Sequence, residues 1–409
     1  MPYGGSGSRS CRAISLPLRE RGGLAFTGWE TGLILGLAGS IGALTAPLVG
    51  QMADRWFATE RLMAVLAFAG GAIKIVTAYQ TSFAAWLWLS VLYSVIYVPT
   101  LALSNSLAFA HMRDPDREFP VVRVWGTIGW IAVAWVFPMV WLQTGLHTTW
   151  KPPFLVGTEA ANVTHRLVDS LKGAGILSVV YGLYCLTLPR TPPKREAPDP
   201  FAALKAFRMC RLSSFAVLMG AGLVVAMVHN IYFMQTAPFL SSIGVRDSDI
   251  LPAMSLGQIA EIAVMALLGP MLARLGFRRV LTMGAAAYVL RYLVFGTTAL
   301  PVALIVASQA LHGFCYACFF AAAYIYVDRL AEPDVRHSAQ TVLGIVLLGL
   351  GPVAGGALNG ALAQAFTGAG GTVNYTGFWY TAAGLSFAAT LALVLVFRDQ
   401  SKRAGAAAG

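Results

Sequence analysis

The chain reads Gly50-Gln-Met-Ala-Asp54-Arg55-Trp-Phe-Ala-Thr-Glu60-Arg61 between two long apolar stretches, at about 32–53 and 61–81. A similar segment, Gly269-Pro-Met-Leu-Ala-Arg274-Leu-Gly276-Phe-Arg278-Arg279, separates the stretches at about 248–273 and 279–299. Both segments begin with a glycine, which we interpret as a helix end, and both carry a basic cluster. A basic loop that recurs between apolar stretches is typical of a membrane protein built from two related halves.

Composition supports a membrane protein. The 409 residues are 57% hydrophobic and 11% charged, whereas soluble proteins carry about 25% charged residues. This excludes a water-soluble enzyme, a disordered chain and a nucleic-acid module. Eleven apolar stretches are long enough to span a bilayer: 32–53, 61–81, 84–106, 122–143, 170–189, 212–236, 248–273, 279–299, 301–327, 339–365 and 376–397. The predicted fold class is an all-α polytopic membrane protein.

The distribution of basic residues predicts how the chain is oriented in the membrane. They are concentrated in the segment 190–211 and in the tail 398–409, and positive loops face the cytoplasm. The formal net charge of +11 is therefore assigned to cytoplasmic loops and not to nucleic-acid binding. The predicted domains are a polar segment 1–30 without a span, a five-span half 31–189, the cytoplasmic linker 190–211, a six-span half 212–397 and the cytoplasmic tail 398–409.

Five spans in one half and six in the other are inconsistent with the basic residues at the N-terminus. Eleven spans and a cytoplasmic C-terminus would place residues 1–30 outside, although they carry Arg9, Arg12, Arg19 and Arg21. We infer that a first span is missing and that the expected arrangement is six plus six. The alternative is a genuine eleven-span protein with a basic external tail.

One loop signature resembles a known superfamily, and four further motifs resemble one family within it. Gly50, Asp54, Arg55 and Arg61 match the loop signature of the major facilitator superfamily, although the glycine after the arginine is absent. The chain further resembles the bacterial nucleoside:proton symporter family of that superfamily, over about residues 28 to 398. The motifs are Tyr97-Val-Pro99-Thr100-Leu-Ala-Leu-Ser-Asn105, Arg123-Val-Trp125-Gly126-Thr127-Ile-Gly129-Trp130, Gln258-Ile-Ala-Glu261 and Leu290-Arg291-Tyr292. The resemblance implies a secondary active transporter that imports nucleosides with protons across the cytoplasmic membrane by alternating access.

Two groups of polar residues lie inside predicted spans. Glu261 stands near the middle of 248–273, where an acid costs roughly 2.5–3.5 kcal/mol, so it has either a functional role or an ion-pair partner. Gln258 shares its helix face. Arg123, Thr127 and Trp130 follow at i, i+4 and i+7, which forms one stripe of cation, hydroxyl and aromatic ring suited to a ribose or base. The resemblance places this stripe in a substrate cavity between the halves, while a snorkelling role for Arg123 stays open.

The resemblance adds further site residues. It assigns Asn230, Phe233 and Tyr316 to substrate binding, and Asp54 with Arg55 to a lock at the cytoplasmic gate. The family commonly places an acid about where Ala317 stands, so proton coupling would rest on Glu261. His229 is interpreted either as a core histidine or as a ligand, and Arg291 as a structural residue that pairs with an acid elsewhere.

Three functional hypotheses remain open: a nucleoside importer, a major facilitator transporter of another sugar or metabolite, and a non-transporting or truncated membrane protein. The sequence has no His-Glu-x-x-His or Gly-x-Ser-x-Gly motif and no clustered metal ligands, so we expect no enzyme activity, cofactor or metal site. The expected partners are a nucleoside, protons and the lipid bilayer, with the protein acting as a monomer.

Overall fold

The computed structural model describes residues 24, 26–27, 29–36, 40–42, 45, 49, 56–113, 115–150, 155–192, 207–331, 336–368 and 371–400. The predictions for Asp54 and Arg55, and those for most of the segment 1–30, fall outside the described residues. The first predicted span, 32–53, is described only in part, and its described residues, 32–36, 40–42, 45 and 49, are helical.

Long helices account for most of the described chain. They are α1 (Thr59–Thr77), α2 (Phe83–His111), α3 (Pro115–Trp141), α4 (Val163–Cys185), α5 (Ser213–Ser242), α6 (Asp247–Gly296), α7 (Val302–Leu330), α8 (Arg336–Phe366) and α9 (Tyr375–Leu395). A short 3-10 helix, Phe207–Arg211, precedes α5. Each predicted span from 61–81 onwards coincides with helical residues.

Helices are the expected solution for these apolar stretches. A bilayer offers no water to backbone N–H and C=O groups, so a spanning segment must pair them internally. Among the described residues, seven helices are long and apolar enough to cross a membrane, and α6 alone covers two of the predicted spans. The predicted class, a polytopic helical membrane protein, is confirmed.

The turn within α6 differs from the prediction. The sequence placed a helix end at Gly269, but the helix continues through Gly269 and breaks at Gly276, which has φ 74° and ψ 166°. This positive φ is accessible to glycine and strained for other residues. Gly276 therefore separates two helical segments of α6, and Gly269 is a helix-interior residue.

The connection between α3 and α4 contains regular structure that the span pattern did not predict. Two antiparallel strands, β1 (Gln143–Thr148) and β2 (Leu155–Glu159), form a hairpin between the predicted spans 122–143 and 170–189. The side chain of Gln143 accepts a hydrogen bond from the amide of Gly157 at 2.6 Å. Helix α4 then begins at Val163, earlier than the predicted 170. Cross-strand pairing satisfies the backbone of this polar segment without a helix.

Helices α7 and α8 each contain segments that are not α-helical. Helix α7 contains a 3-10 turn at Ser308–Ala310 and a π-helical segment at Cys315–Ala321. Helix α8 contains a π-helical segment at Ile345–Leu350, directly before Gly351 and Pro352. Such π segments are rare and frequently mark functional sites.

Contacts divide the chain into two compact units. The first comprises Met1–Ala197 and Pro352–Asn374, and the second comprises Pro198–Gly351 and Tyr375–Gly409. Helix α8 is thus divided where its π segment ends. In the first unit α1 packs on α2 and α4, and Ser178 donates a hydrogen bond to the carbonyl of Ala67 at 2.8 Å. In the second unit α6 packs against α5, α7 and α9.

We predict that Gly284→Ala destabilises the second unit. A Cβ at Gly284 would lie 2.6 Å from the backbone nitrogen of Phe319 and 2.8 Å from the carbonyl carbon of Cys318, so α6 and the π segment of α7 must separate. We expect a loss of about 1–3 kcal/mol, measured as a lower melting temperature of the detergent-solubilised protein.

The matched control is Gly269→Ala on the same helix. No described atom lies within 4 Å of a Cβ at Gly269, so this variant should melt at the wild-type temperature or above it. Equal melting of the two variants would refute the close packing of α6 on α7.

Candidate functional site

The predicted site residues fall in both units. Thr127 and Trp130 belong to α3 in the first unit, whereas Asn230, Phe233, Gln258, Glu261 and Tyr316 belong to α5, α6 and α7 in the second. Arg123 lies in α3, but its side chain is outside the described residues. Thr127 is half-buried and Trp130 is 39% exposed. Their spacing of three residues places both on one side of α3, as predicted.

Close helix packing positions Gln258 and Glu261. A Cβ at Gly313 on α7 would lie 2.5 Å from the carbonyl carbon of Ala260 and 2.7 Å from the amide nitrogen of Glu261. One turn away, a Cβ at Gly257 would lie 2.9 Å from the Cβ of His312. The two glycines bring this turn of α6 directly against α7. Gln258 is buried there, and its Oε1 has no hydrogen-bond partner in the described part of the chain.

An aromatic cluster surrounds His229 on α5. Its ring lies 5.0 Å from that of Phe233, 4.7 Å from Phe320 and 6.5 Å from Tyr316, between ring centroids. Tyr316 stacks on Phe320 at 5.6 Å. Asn230 is next to His229, and its buried Oδ1 has no partner among the described atoms. Phe233 and Tyr316, two predicted site residues, therefore belong to one cluster.

Arg291 does not pair with an acid in the described part of the chain, contrary to the sequence-based interpretation. It is fully buried, and its guanidinium carbon lies 4.0 Å from the ring centroid of Tyr232, 5.1 Å from that of Tyr288 and 5.2 Å from that of Tyr292. Aromatic faces attract a cation through their quadrupole, and more strongly when the cation is desolvated. Tyr288, Arg291 and Tyr292 follow at i, i+3 and i+4, so α6 itself presents the cation between two rings.

The guanidinium keeps unused hydrogen-bond donors. Its Nη1 donates to His312 Nδ1 at 3.1 Å, while Nε and Nη2 have no partner among the described atoms. Buried polar groups are normally paired with protein or ordered water, so these two donors are open to water or to another acceptor.

The sequence analysis missed His312 and Gln309. Both are buried on α7, and Gln309 Oε1 accepts a hydrogen bond from the Tyr232 hydroxyl at 2.8 Å. His312 stacks on His229, with centroids 5.5 Å apart and planes at 14°, and on Tyr232 at 5.2 Å. The available signal was a polar pair three residues apart within an otherwise apolar span, which is the spacing of one helix face.

The second unit therefore combines the amide groups of Asn230 and Gln258 with the aromatic faces of Phe233 and Tyr316 on α5, α6 and α7. Amides can donate and accept hydrogen bonds, and aromatic faces can stack on a planar ring. This chemistry suits a planar heterocycle that carries polar substituents.

Comparison with solved structures identifies the fold. The fold matches two crystal structures of the nucleoside transporter NupG, with TM-scores of 0.81 and 0.78 at 23% identity, and each match covers at least 95% of both chains. It also matches a D-xylose–proton symporter with a TM-score of 0.64 at 13% identity, over 96% of this chain and 99% of that one. The chain thus has the major facilitator superfamily fold, as predicted.

Comparison of sequences identifies the family. The profile described as "Nucleoside H+ symporter" matches residues 21–402. A putative nucleoside transporter of Escherichia coli, YegT, is 31% identical over 88% of this chain and 84% of its own length. The xanthosine permease of Escherichia coli is 25% identical over 91% of this chain and 88% of its own length. The chain belongs to the nucleoside H+ symporter family, which confirms the resemblance found in the motifs.

We predict that the two buried glutamines of the second unit differ in their effect on stability. Gln309→Leu removes the acceptor of the Tyr232 hydroxyl and leaves a buried donor unpaired, at a cost of about 1–3 kcal/mol. Gln258→Leu removes a buried oxygen that has no partner in the described chain, so stability should stay at the wild-type level or rise. Thermal unfolding of the purified variants measures both effects.

The pair Tyr232→Phe with Gln309→Leu is the control, since removing both partners should recover part of the loss. The assigned hydrogen bonding is wrong if Gln258→Leu destabilises the protein as much as Gln309→Leu does.

Proposed function

We propose that the chain is a secondary active transporter that imports nucleosides together with protons. Two observations carry the proposal: the chain belongs to the nucleoside H+ symporter family, and the buried amide oxygens of Asn230 and Gln258 in the aromatic second unit have no partner among the described residues. Nucleosides offer N–H and O–H donors for such oxygens and a flat base for stacking.

Each predicted residue receives a role in this proposal. Asn230 and Gln258 hydrogen-bond to the nucleoside, and Phe233 and Tyr316 provide rings beside its base. In the first unit Thr127 contributes a hydroxyl and Trp130 an aromatic face, and Arg123 contributes a cation that binds sugar or base oxygens. Asp54 and Arg55 lock the cytoplasmic gate in one conformational state.

Glu261 is proposed to link substrate binding to the proton. An ionised carboxylate accepts two strong hydrogen bonds from sugar hydroxyls, and a protonated one loses part of that capacity. Protonation therefore changes the relative stability of substrate-bound conformations, and a carrier responds by redistributing between them. Glu261 is half-buried on the turn of α6 that Gly313 holds against α7.

The location of the protein is proposed to be the bacterial cytoplasmic membrane, with a cytoplasmic C-terminus. The basic segment 190–211 and the basic tail 398–409 support this orientation. A monomer suffices for this function, because both units belong to one chain.

Uptake in cells that lack their own nucleoside permeases tests the substrate. We expect cells expressing the protein to accumulate labelled uridine or adenosine several-fold above cells with the empty vector, and unlabelled nucleosides to compete far better than free ribose. Equal competition by ribose would instead indicate a sugar transporter. If neither nucleoside accumulates although the protein is present in the membrane, the proposal is wrong.

Glu261→Gln tests the role in coupling. The amide keeps the size and can still hydrogen-bond, but it cannot bind a proton. We therefore expect exchange of labelled for unlabelled nucleoside across proteoliposomes to persist, and accumulation against a gradient to fall at least tenfold.

Asp169→Asn is the matched carboxylate-to-amide control. Asp169 accepts hydrogen bonds from Lys172 at 2.8 Å and from Trp141 at 3.1 Å in the first unit, so its loss should leave both transport readouts unchanged. A Glu261→Gln carrier that still concentrates nucleoside like the wild type excludes a proton role for Glu261.

A further inference from the structure

The polar cluster of α5, α6 and α7 contains two imidazoles that the substrate site does not use. His312 is buried and His229 is half-buried, and their rings stack at 5.5 Å. Histidine is the side chain whose charge changes most readily near neutral pH. Two stacked histidines inside a membrane-spanning unit are therefore unusual groups that packing alone does not require.

The hydrogen bond between Arg291 and His312 fixes the state of one ring. A guanidinium has only donors, so His312 Nδ1 must accept at 3.1 Å and cannot carry a proton. His312 is consequently neutral, with its single proton on Nε2, for as long as this contact exists. A second proton can enter only at Nδ1, which means that Arg291 must leave first.

His229, the other ring of the stacked pair, is connected to Arg291 through Tyr288. His229 Nδ1 lies 2.5 Å from the Tyr288 hydroxyl, which can donate to a neutral imidazole or accept from a protonated one. Tyr288 in turn lies beside the guanidinium, at 5.1 Å. The stacked rings and the cation cannot all be positive at these separations, because like charges repel strongly away from water.

The surroundings provide groups to receive Arg291 when it leaves. The titratable and charged groups around the two imidazoles and Arg291 are Tyr232 from α5, Tyr288, Arg291 itself and Tyr292 from α6, and Cys315 and Tyr316 from α7. Helix α9 contributes Trp379, which stacks on Tyr292 at 5.3 Å. Gln258 Oε1, next to the Gly257 that packs against His312, is a buried acceptor without a partner in the described chain.

We propose that His312 and His229 form a second proton-binding site of the transporter, distinct from Glu261, in which the proton and Arg291 compete for His312 Nδ1. In one state Arg291 donates to Nδ1 and both rings are neutral. In the other state Arg291 has moved to another acceptor, and the imidazole pair holds one proton, which forms the N–H bond at Nδ1. Proton binding thereby selects the conformation in which Arg291 is displaced.

This inference rests on the proposed function only in taking the proton as the transported ion. The site itself can be tested without substrate. Spectra of purified protein with 15N-labelled histidine distinguish a neutral ring protonated at Nε2 from an imidazolium, and the six histidines can be assigned by single substitutions.

We expect the His312 signal to show the neutral Nε2–H form at pH 8 and an imidazolium to develop on acidification. In Arg291→Met, or in Arg291→Gln if the first variant does not fold, the imidazolium should develop at a higher pH because the competing cation is gone. Identical titrations of wild type and both Arg291 variants, or rings that stay neutral down to pH 4 in all three, overturn the proposal.

Transport provides the second readout. In His312→Gln the amide oxygen still accepts a hydrogen bond from Arg291 but binds no proton, so this variant should keep nucleoside exchange within about twofold of wild type. Its accumulation driven by an imposed pH gradient should fall at least tenfold. His165→Gln, an exposed histidine on α4 of the first unit, is the matched control and should change neither readout.

The two proposals can fail separately. A wild-type protein that exchanges no nucleoside refutes the proposed function, while the histidine titration still decides on the second proton site. Conversely, a His229→Gln/His312→Gln double variant that concentrates nucleoside like the wild type refutes the second proton site and leaves nucleoside transport intact.

Discussion

The buried guanidinium of Arg291 is the constraint around which the second unit is organised. A cation in a low-dielectric interior is costly unless it is compensated. In the described chain no carboxylate contacts it, and compensation comes from the faces of Tyr232, Tyr288 and Tyr292 and from His312 Nδ1. These groups belong to α5, α6 and α7, so the packing of the three helices depends on the charge of Arg291. Trp379 extends the cluster to α9 by stacking on Tyr292.

Aromatic rings compensate the charge of Arg291 without neutralising it, as a carboxylate would. A carboxylate would neutralise the cation and hold it in place, whereas π faces leave the positive charge and the donors at Nε and Nη2 available. The family resemblance implies an acid about where Ala317 stands, within the π segment Cys315–Ala321. Ala317 provides no carboxylate at this position, so Arg291 is compensated by the tyrosine faces and by His312 Nδ1.

The sequence predicted the parts of the fold that depend on length and hydropathy. The spans from 61–81 onwards were recognisable because about 20 apolar residues admit only a helix in a bilayer. The sequence analysis placed the turn in α6 at Gly269, because hydropathy does not distinguish Gly269 from Gly276. Of these two glycines, only Gly276 has the positive φ of a turn. The hairpin of β1 and β2 was missed because its strands are short and its side chains are mostly polar.

The candidate site was only partly predictable for a different reason. Motifs pointed to Asn230, Phe233, Gln258 and Tyr316, because these residues lie in segments that resemble the family. No local pattern could show that Arg291 would be held by tyrosines, since Tyr232 is 59 positions away in the chain and meets it only through packing of α5 on α6. His312 was hidden for the same reason, because its importance comes from the cation and the ring that it contacts.

Helix α5 connects this cluster to a place where the chain can bend. Gly351 packs closely against Ala226, one turn of α5 before His229, and Gly351 ends the π segment Ile345–Leu350 of α8. The division between the two units falls between Gly351 and Pro352, so α8 contributes to both. A π segment followed by Gly and Pro is a site where a helix bends at low cost. Because α5 touches this bend at Ala226 and carries His229 one turn later, a shift of α8 would reach the stacked imidazoles through a single helix turn.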